Sequence, residues 1–186
     1  MSVDQEPEER KRQPTGHGNL PAGPPSGGWN PVRKGGSMAK VTILRGVPGS
    51  GKSTLAKSLD GAIVSADNYM TDCDGNYKFD PTRLPYAHGE CLSEFMRHML
   101  EWGTPFVTVD NTNITAVECA PYVAIAQAIG AKVEILTLDG DNIDKLAARN
   151  VHSVERQVVM NMAVRMDQET RRFPRWWNHR VVKAAD

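Results

Sequence analysis

A Cys-x-x-Cys pair, a long apolar run and a net charge are all missing from this 186-residue chain. The 3 cysteines, Cys73, Cys91 and Cys119, are an odd number and form no Cys-x-x-Cys pair. That argues against a disulfide framework or a thiolate zinc site, and for a reducing compartment. No apolar run is long enough to span a bilayer, and the N-terminus is acidic rather than signal-like. The protein is therefore expected to be soluble and cytoplasmic, with no membrane partner. Lys plus Arg and Asp plus Glu each number 22, for a formal net charge of +0, which gives no global electrostatic case for nucleic acid. No Asn-Lys-x-Asp element for guanine selectivity is present, which disfavours a GTPase switch.

The charge is unevenly spread. From Lys145 onward the chain carries Arg149, Arg156, Arg165, Arg171, Arg172, Arg175, Arg180 and Lys183 against Glu155, Asp167, Glu169 and Asp186. Such a third suits an anionic substrate or a phosphate lid, although solvated helix faces also produce such runs. At the other end, residues 1–37 carry Gly, Pro and charge with almost no large apolar side chains. They cannot bury enough surface to offset their ordering entropy and read as a disordered tail before one folded domain, residues 38–186.

Within that domain strands and helices alternate. Strands are expected at 41–45, 62–65, 105–109 and 132–138. Helices are expected from the residues after Gly51 to about Leu59, from Pro85 toward Gly103, from Thr115 to Ile129, and near 142–149 and 154–166. The stripe Leu84, Ala87, Cys91, Leu92, Phe95 and Met99 has helical spacing, and the methionines from 160 to 166 read as core. Thr115-x-x-Glu118 has the form of a capping box, with Pro121 expected to kink that helix or mark its true start. Near-continuous apolar strands between helices indicate an α/β fold, a parallel sheet with helices on both faces. Ligands of such sheets bind outside the carboxyl ends of the strands.

The first strand runs straight into Gly46-Val47-Pro48-Gly49-Ser50-Gly51-Lys52-Ser53, which meets every fixed position of G-x-x-x-x-G-K-[ST]. Glycines let the backbone fold around phosphates, and the helix that follows turns its positive end toward the same anion. This is a P-loop, and the fold expected is that of P-loop NTPases. Lys52 is expected on the β- and γ-phosphates, Ser53 on Mg²⁺, and Thr54 beside them. Asp67 and Asp110 end the second and third strands, on the same rim. Asp110 has the form of a Walker B aspartate, a metal-side carboxylate, or else of a turn cap. Asp67 is placed to accept the proton of an attacking hydroxyl, although Asp67-Asn68 equally suits an Asx-turn. Arg149 is either a lid cation over the phosphates or a surface helix residue.

Taken in order, Val47 to Thr54, Ser65-Ala66-Asp67-Asn68-Tyr69, Gly75 to Pro81, Val109-Asp110-Asn111-Thr112-Asn113 and Arg149-Asn150 resemble the polynucleotide-kinase-like branch of P-loop kinases, across roughly residues 40–166. The resemblance implies ATP and Mg²⁺ as cofactors. It also implies Asp67 as general base, Asp110 near metal and acceptor, and Arg149 in a lid around 146–160. The chain departs from the phage enzyme of that branch by placing Ser153 where a second lid arginine stands, with His152 or Arg156 as substitutes. Asn68 replaces what is often a second aspartate.

On this reading the chain is a kinase whose acceptor is a hydroxyl on a nucleic acid or nucleotide, either a 5′ end or a hydroxymethyl group on a modified base in phage DNA. In the latter case the location is the host cytoplasm. The alternative is a kinase of a small metabolite, sugar or antibiotic. Candidate acceptor contacts are Tyr77, Arg83, His88, Asn111 and Asn113, with a structural hairpin equally able to explain Tyr77 and Arg83, and a buried histidine His88. Trp176-Trp177 reads as aromatics pinned onto the core or as a base-stacking pair. Oligomeric state leaves no mark in the sequence.

Overall fold

A computed structural model describes residues 38–72, 76–140, 142–150 and 154–183. The tail 1–37, and within the lid segment His152 and Ser153, lie outside the described residues. The elements are β1 (Lys40–Arg45), α1 (Lys52–Ser58), β2 (Ala62–Val64), α2 (Leu84–Met96), β3 (Phe106–Asp110), α3 (Ala116–Ala128), β4 (Lys132–Asp139), α4 (Ile143–Arg149), α5 (Arg156–Thr170) and β5 (His179–Lys183). Short 3₁₀ turns span Ala66–Met70 and Pro81–Arg83, and a π-type turn Arg97–Glu101 continues α2.

All strand pairs are parallel, in the order β2-β3-β1-β4-β5. The carboxyl ends therefore share one rim, where Leu44 lies opposite Asp110 and Arg45 opposite Thr137. Side-chain alternation sorts the strands into two cores. Val41, Ile43, Val107, Val109 and Ile135 pack with Ala87, Cys91 and Phe95 of α2 and Cys119, Tyr122 and Val123 of α3. On the opposite face Leu44, Leu136 and Leu138 meet Ala56 of α1. Helices thus cover both faces, as the apolar strands require. A third cluster, Val47, Ile114, Leu146 and Val159, seats α4 and α5 against the P-loop at the rim.

Local chemistry explains the helix ends. Thr115 Oγ1 accepts the Glu118 N–H at 3.3 Å, and Glu118 Oε2 accepts the N–H of Ile114 at 2.7 Å. The capping box is present, but its return bond reaches one residue further back than usual. As the Thr115 cap requires, α3 begins at Ala116, and it carries Pro121 in its interior, so Pro121 does not mark the start of the helix. Pro121 is exposed and so is Val117, whose carbonyl loses its intrahelical donor but lies on the solvent side of the helix.

Two features escaped sequence reasoning. β5 pairs with β4 from Ile135↔His179 to Asp139↔Lys183. Arg45, at the end of β1, is 0% exposed. Its Nε donates to the carbonyls of Asn113 and Ile114 at 3.1 and 3.2 Å, and Nη1 to Thr137 Oγ1 and Thr170 Oγ1 at 3.2 and 2.8 Å. Nη2 donates to the carbonyls of Ile114 and Met166 at 2.8 and 2.6 Å, and the guanidinium lies 4.6 Å from the Phe173 ring centroid. Every N–H of the fork is used, so a buried charge is tolerated without a carboxylate against it. Burial still lowers its pKa, while Cys119, Glu118 and Glu169 counter that shift electrostatically.

Candidate active site

The P-loop follows β1, the central strand. Gly49 and Gly51 take φ of 78° and 88°, in the left-handed region that glycine tolerates. A Cβ on Gly49 would stand 2.0 Å from the Leu146 carbonyl oxygen, so α4 rests directly on the loop. Gly46 N–H donates to the Thr112 carbonyl at 3.0 Å, and Asn113 Nδ2 to the Leu44 carbonyl at 2.7 Å. The exits of β1 and β3 are thereby stitched together, with Asn113 held at φ 47°.

Lys52 opens α1 and is 9% exposed, with Nζ donating to the Val47 carbonyl at 3.0 Å. Burial pushes its pKa down to about 8, opposed by the charges of Asp110 and Asp67. Asp110, also 9% exposed, has its carboxyl beside Ser53 and within the electrostatic reach of Lys52. Burial raises the pKa of its carboxyl, and the neighbouring Ser53 hydroxyl and Lys52 ammonium pull it back. Ser50 Oγ is buried and, among the described residues, is the one buried side-chain oxygen or nitrogen without a partner. A loop of left-handed glycines, an orphaned hydroxyl and a desolvated lysine are what a phosphate chain would satisfy. No group of three or more His, Cys, Asp and Glu gathers among the described residues. Ser53 with Asp110 instead fits the sparse protein ligation of Mg²⁺, which keeps waters and phosphate oxygens in its shell.

Asp67 is exposed on the 3₁₀ turn after β2. Its N–H is accepted by Ser65 Oγ at 3.3 Å, which in turn donates to the Asp110 carbonyl at 2.8 Å. Asn111 Oδ1 accepts the adjacent Ala66 N–H at 2.8 Å. Tyr77 OH donates to Asp67 Oδ1 at 3.4 Å, and burial together with the Asp67 charge pushes its hydroxyl pKa up to about 12. The phenol therefore stays protonated beside the carboxylate.

The remaining candidates are placed as follows. Pro48 lies half-buried in the loop, and Thr54 is exposed on α1. Arg149 ends α4, one turn beyond the Leu146 carbonyl that touches the P-loop, and is exposed. Arg156, a candidate second lid cation, bonds Asp144 of α4 at 2.6 Å. Arg83 is exposed, with its guanidinium 5.9 Å from the Tyr86 ring centroid. His88 is exposed, so the buried-histidine alternative is set aside. Asn111 and Asn113 are buried and bonded within the protein. Trp177 packs edge-on against Phe173, whereas Trp176 is 78% exposed near the amino end of β5, away from the P-loop rim. Sequence reasoning passed over Arg45, Ser65 and Tyr122, whose partners are distant in the chain.

Comparison with known proteins adds the following. A family model described as "AAA domain" matches residues 41–175. NEDD4-binding protein 2 of Homo sapiens is 36% identical over 132 residues, 66% of this chain and 7% of that protein, so the chain spans a small part of that relative. A chain of the Pnkp1/Rnl/Hen1 RNA repair complex superposes with a TM-score of 0.60 at 17% identity, covering 76% of this chain and 48% of that one. Kti12 of Chaetomium thermophilum, in complex with ADP-AlF3, superposes with a TM-score of 0.54 at 15% identity over 78% of this chain and 90% of that one. At these identities the structural likeness establishes a shared P-loop NTPase fold.

Proposed function

The chain belongs to the AAA domain family, and from that premise we propose that it is an ATP- and Mg²⁺-dependent kinase that phosphorylates a hydroxyl on a nucleic acid or nucleotide. The observation that carries the proposal is the meeting of a phosphate cradle with two carboxylates on one rim. Lys52 lies within the electrostatic reach of both Asp110 and Asp67. A phosphate-binding switch would need the metal-side carboxylate; a second one, exposed and anchored by its own turn, is an acceptor-side feature.

In the proposed reaction the P-loop amides, Lys52 and Ser50 hold the β- and γ-phosphates, and Arg149 approaches them from α4. Ser53 and Asp110 would hold Mg²⁺, whose charge would offset that of the phosphates. Asp67 accepts the proton of the acceptor hydroxyl while that oxygen forms its bond to the γ-phosphorus. The bond to the β-phosphate bridging oxygen breaks, and ADP leaves with the electron pair. Tyr77 steadies the Asp67 carboxylate through its hydroxyl. The nucleic-acid acceptor is supported by the sequence resemblance and by the shared fold of the RNA-repair chain; the exposure of Asp67 suits a large acceptor better than an enclosed metabolite. The test is an acceptor screen with γ-labelled ATP over 5′-hydroxyl DNA and RNA, hydroxymethylated DNA and a metabolite panel. Label on a nucleic acid supports the proposal, whereas label confined to a metabolite shifts it to small-molecule kinases. No transfer to any acceptor removes it.

A further inference from the structure

The 3₁₀ turn that carries Asp67 begins with two N–H groups, on Ala66 and Asp67, that no turn carbonyl can accept. Both are taken up through the single dipeptide that ends β3. Ser65 Oγ accepts from Asp67 N at 3.3 Å and donates to the Asp110 carbonyl at 2.8 Å, while Asn111 Oδ1 accepts from Ala66 N at 2.8 Å. The amide cannot rotate away. Its Nδ2 donates to Cys91 Sγ of α2 and Tyr122 OH of α3, both at 3.4 Å, and Tyr122 OH donates to Cys91 Sγ at 3.4 Å. Since Ala66 N–H requires an oxygen, this network also fixes which end of the Asn111 amide faces it. The side chain of Asp110 meanwhile lies beside Ser53 on the phosphate side. One dipeptide thus faces the donor half of the site with a carboxylate and grips the acceptor half with a carbonyl and an amide.

We infer that Asn111, expected from the sequence to touch substrate, is instead a positioning residue that sets the Asp67 carboxylate at its distance from the phosphate cradle. This rests on the reading of Asp67 as the proton acceptor. The inference separates Asn111 from a merely structural asparagine because its loss must be felt through Asp67 and not through ATP binding. A misplacement of about 1 Å in a reacting group costs on the order of a hundredfold in rate.

The experiment is a double-mutant cycle on the full chain with Asn111→Leu, Asp67→Ala and the pair combined, and with Ser65→Ala as a smaller perturbation of the same anchor. Transfer of γ-labelled phosphate is read on a 5′-hydroxyl oligonucleotide, and hydrolysis of ATP is read without acceptor. The inference expects Asn111→Leu to lower kcat roughly ten- to a hundredfold, with the KM for ATP changed less than about twofold. It expects Ser65→Ala to do the same more weakly, and the combined variant to be no slower than Asp67→Ala alone. Multiplying losses in the combined variant, or a KM for ATP that rises in step with the fall in kcat, overturns the positioning role. Should Asn111→Leu fold poorly, Ser65→Ala in the Asp67→Ala background decides by the same criterion. If Asp67→Ala alone leaves both rates intact, the base assignment fails, and the positioning role with it.

Discussion

Lys52 is costly to the empty protein. Folding moves its ammonium from an ordinary pKa of 10.5 to about 8, a penalty on the order of 3 kcal/mol while both states are protonated. Because the folded value is the lower one, the penalty is full below pH 8 and is relieved as pH rises from about 8 toward 10.5. Lys52→Met should therefore raise the denaturation midpoint of the nucleotide-free protein at pH 7 and abolish the extra stabilisation that ATP confers, both measurable by thermal melts. Asp67→Ala should lower phosphate transfer by at least about a hundredfold with ATP affinity, read by titration calorimetry, unchanged. Arg45→Met should cost about 2–4 kcal/mol in urea unfolding, because it leaves buried carbonyls of Asn113, Ile114 and Met166 without donors. The P-loop was legible at this scale because backbone geometry dictates residue type at fixed offsets. Arg45 was not. Placed at the end of an apolar run it looks like a strand terminus, and its partners lie up to 125 residues away.

Among the elements, α2 and its apolar stripe were readable because helical burial repeats locally, and Leu84, Ala87, Cys91, Leu92, Phe95 and Met99 all pack inward. The π-type turn Arg97–Glu101 has no such local code. β5 was hidden for a different reason. Its sequence, HRVVK, carries charge at both ends, and its stabilising partner β4 lies two helices back in the chain. Glu134 of β4 explains one of those cations, since it pairs with Arg180 of β5, and it pairs as well with Lys40 of β1. The seat of α4 on the P-loop was equally invisible, because it depends on Gly49 lacking a side chain. Gly49→Ala puts a methyl 2.0 Å from the Leu146 oxygen at a φ of 78°, so it should displace α4. The expected result is a rise of at least about tenfold in the KM for ATP, with far-ultraviolet circular dichroism unchanged.

At the scale of the whole molecule, residues 38–183 are proposed to form one cooperative unit. A chain limited to them should melt within a degree or two of the full chain, whereas one ending at Phe173 should lose many degrees, since it lacks β5, Trp177 and the His179–Thr137 bond of 2.8 Å. Acid should unfold it early. His98 and His179 have pKa values lowered by burial, and His179 further by Arg45. Their stabilising contribution is complete above an ordinary histidine pKa of about 6.5 and is lost as pH falls below it, which pH-dependent urea midpoints would register.

The buried guanidinium also closes a ring of contacts. Arg45 adjoins the P-loop and grips the end of α5; Arg156 at the start of α5 bonds Asp144 of α4; and α4 rests on Gly49. In mechanical terms this is a linkage without a free end. A nucleotide that shifts α4 pulls on α5 through the exposed ion pair and the Leu146–Val159 packing, and through α5 on the arginine, so the rate at which ADP departs should respond to Thr170→Val.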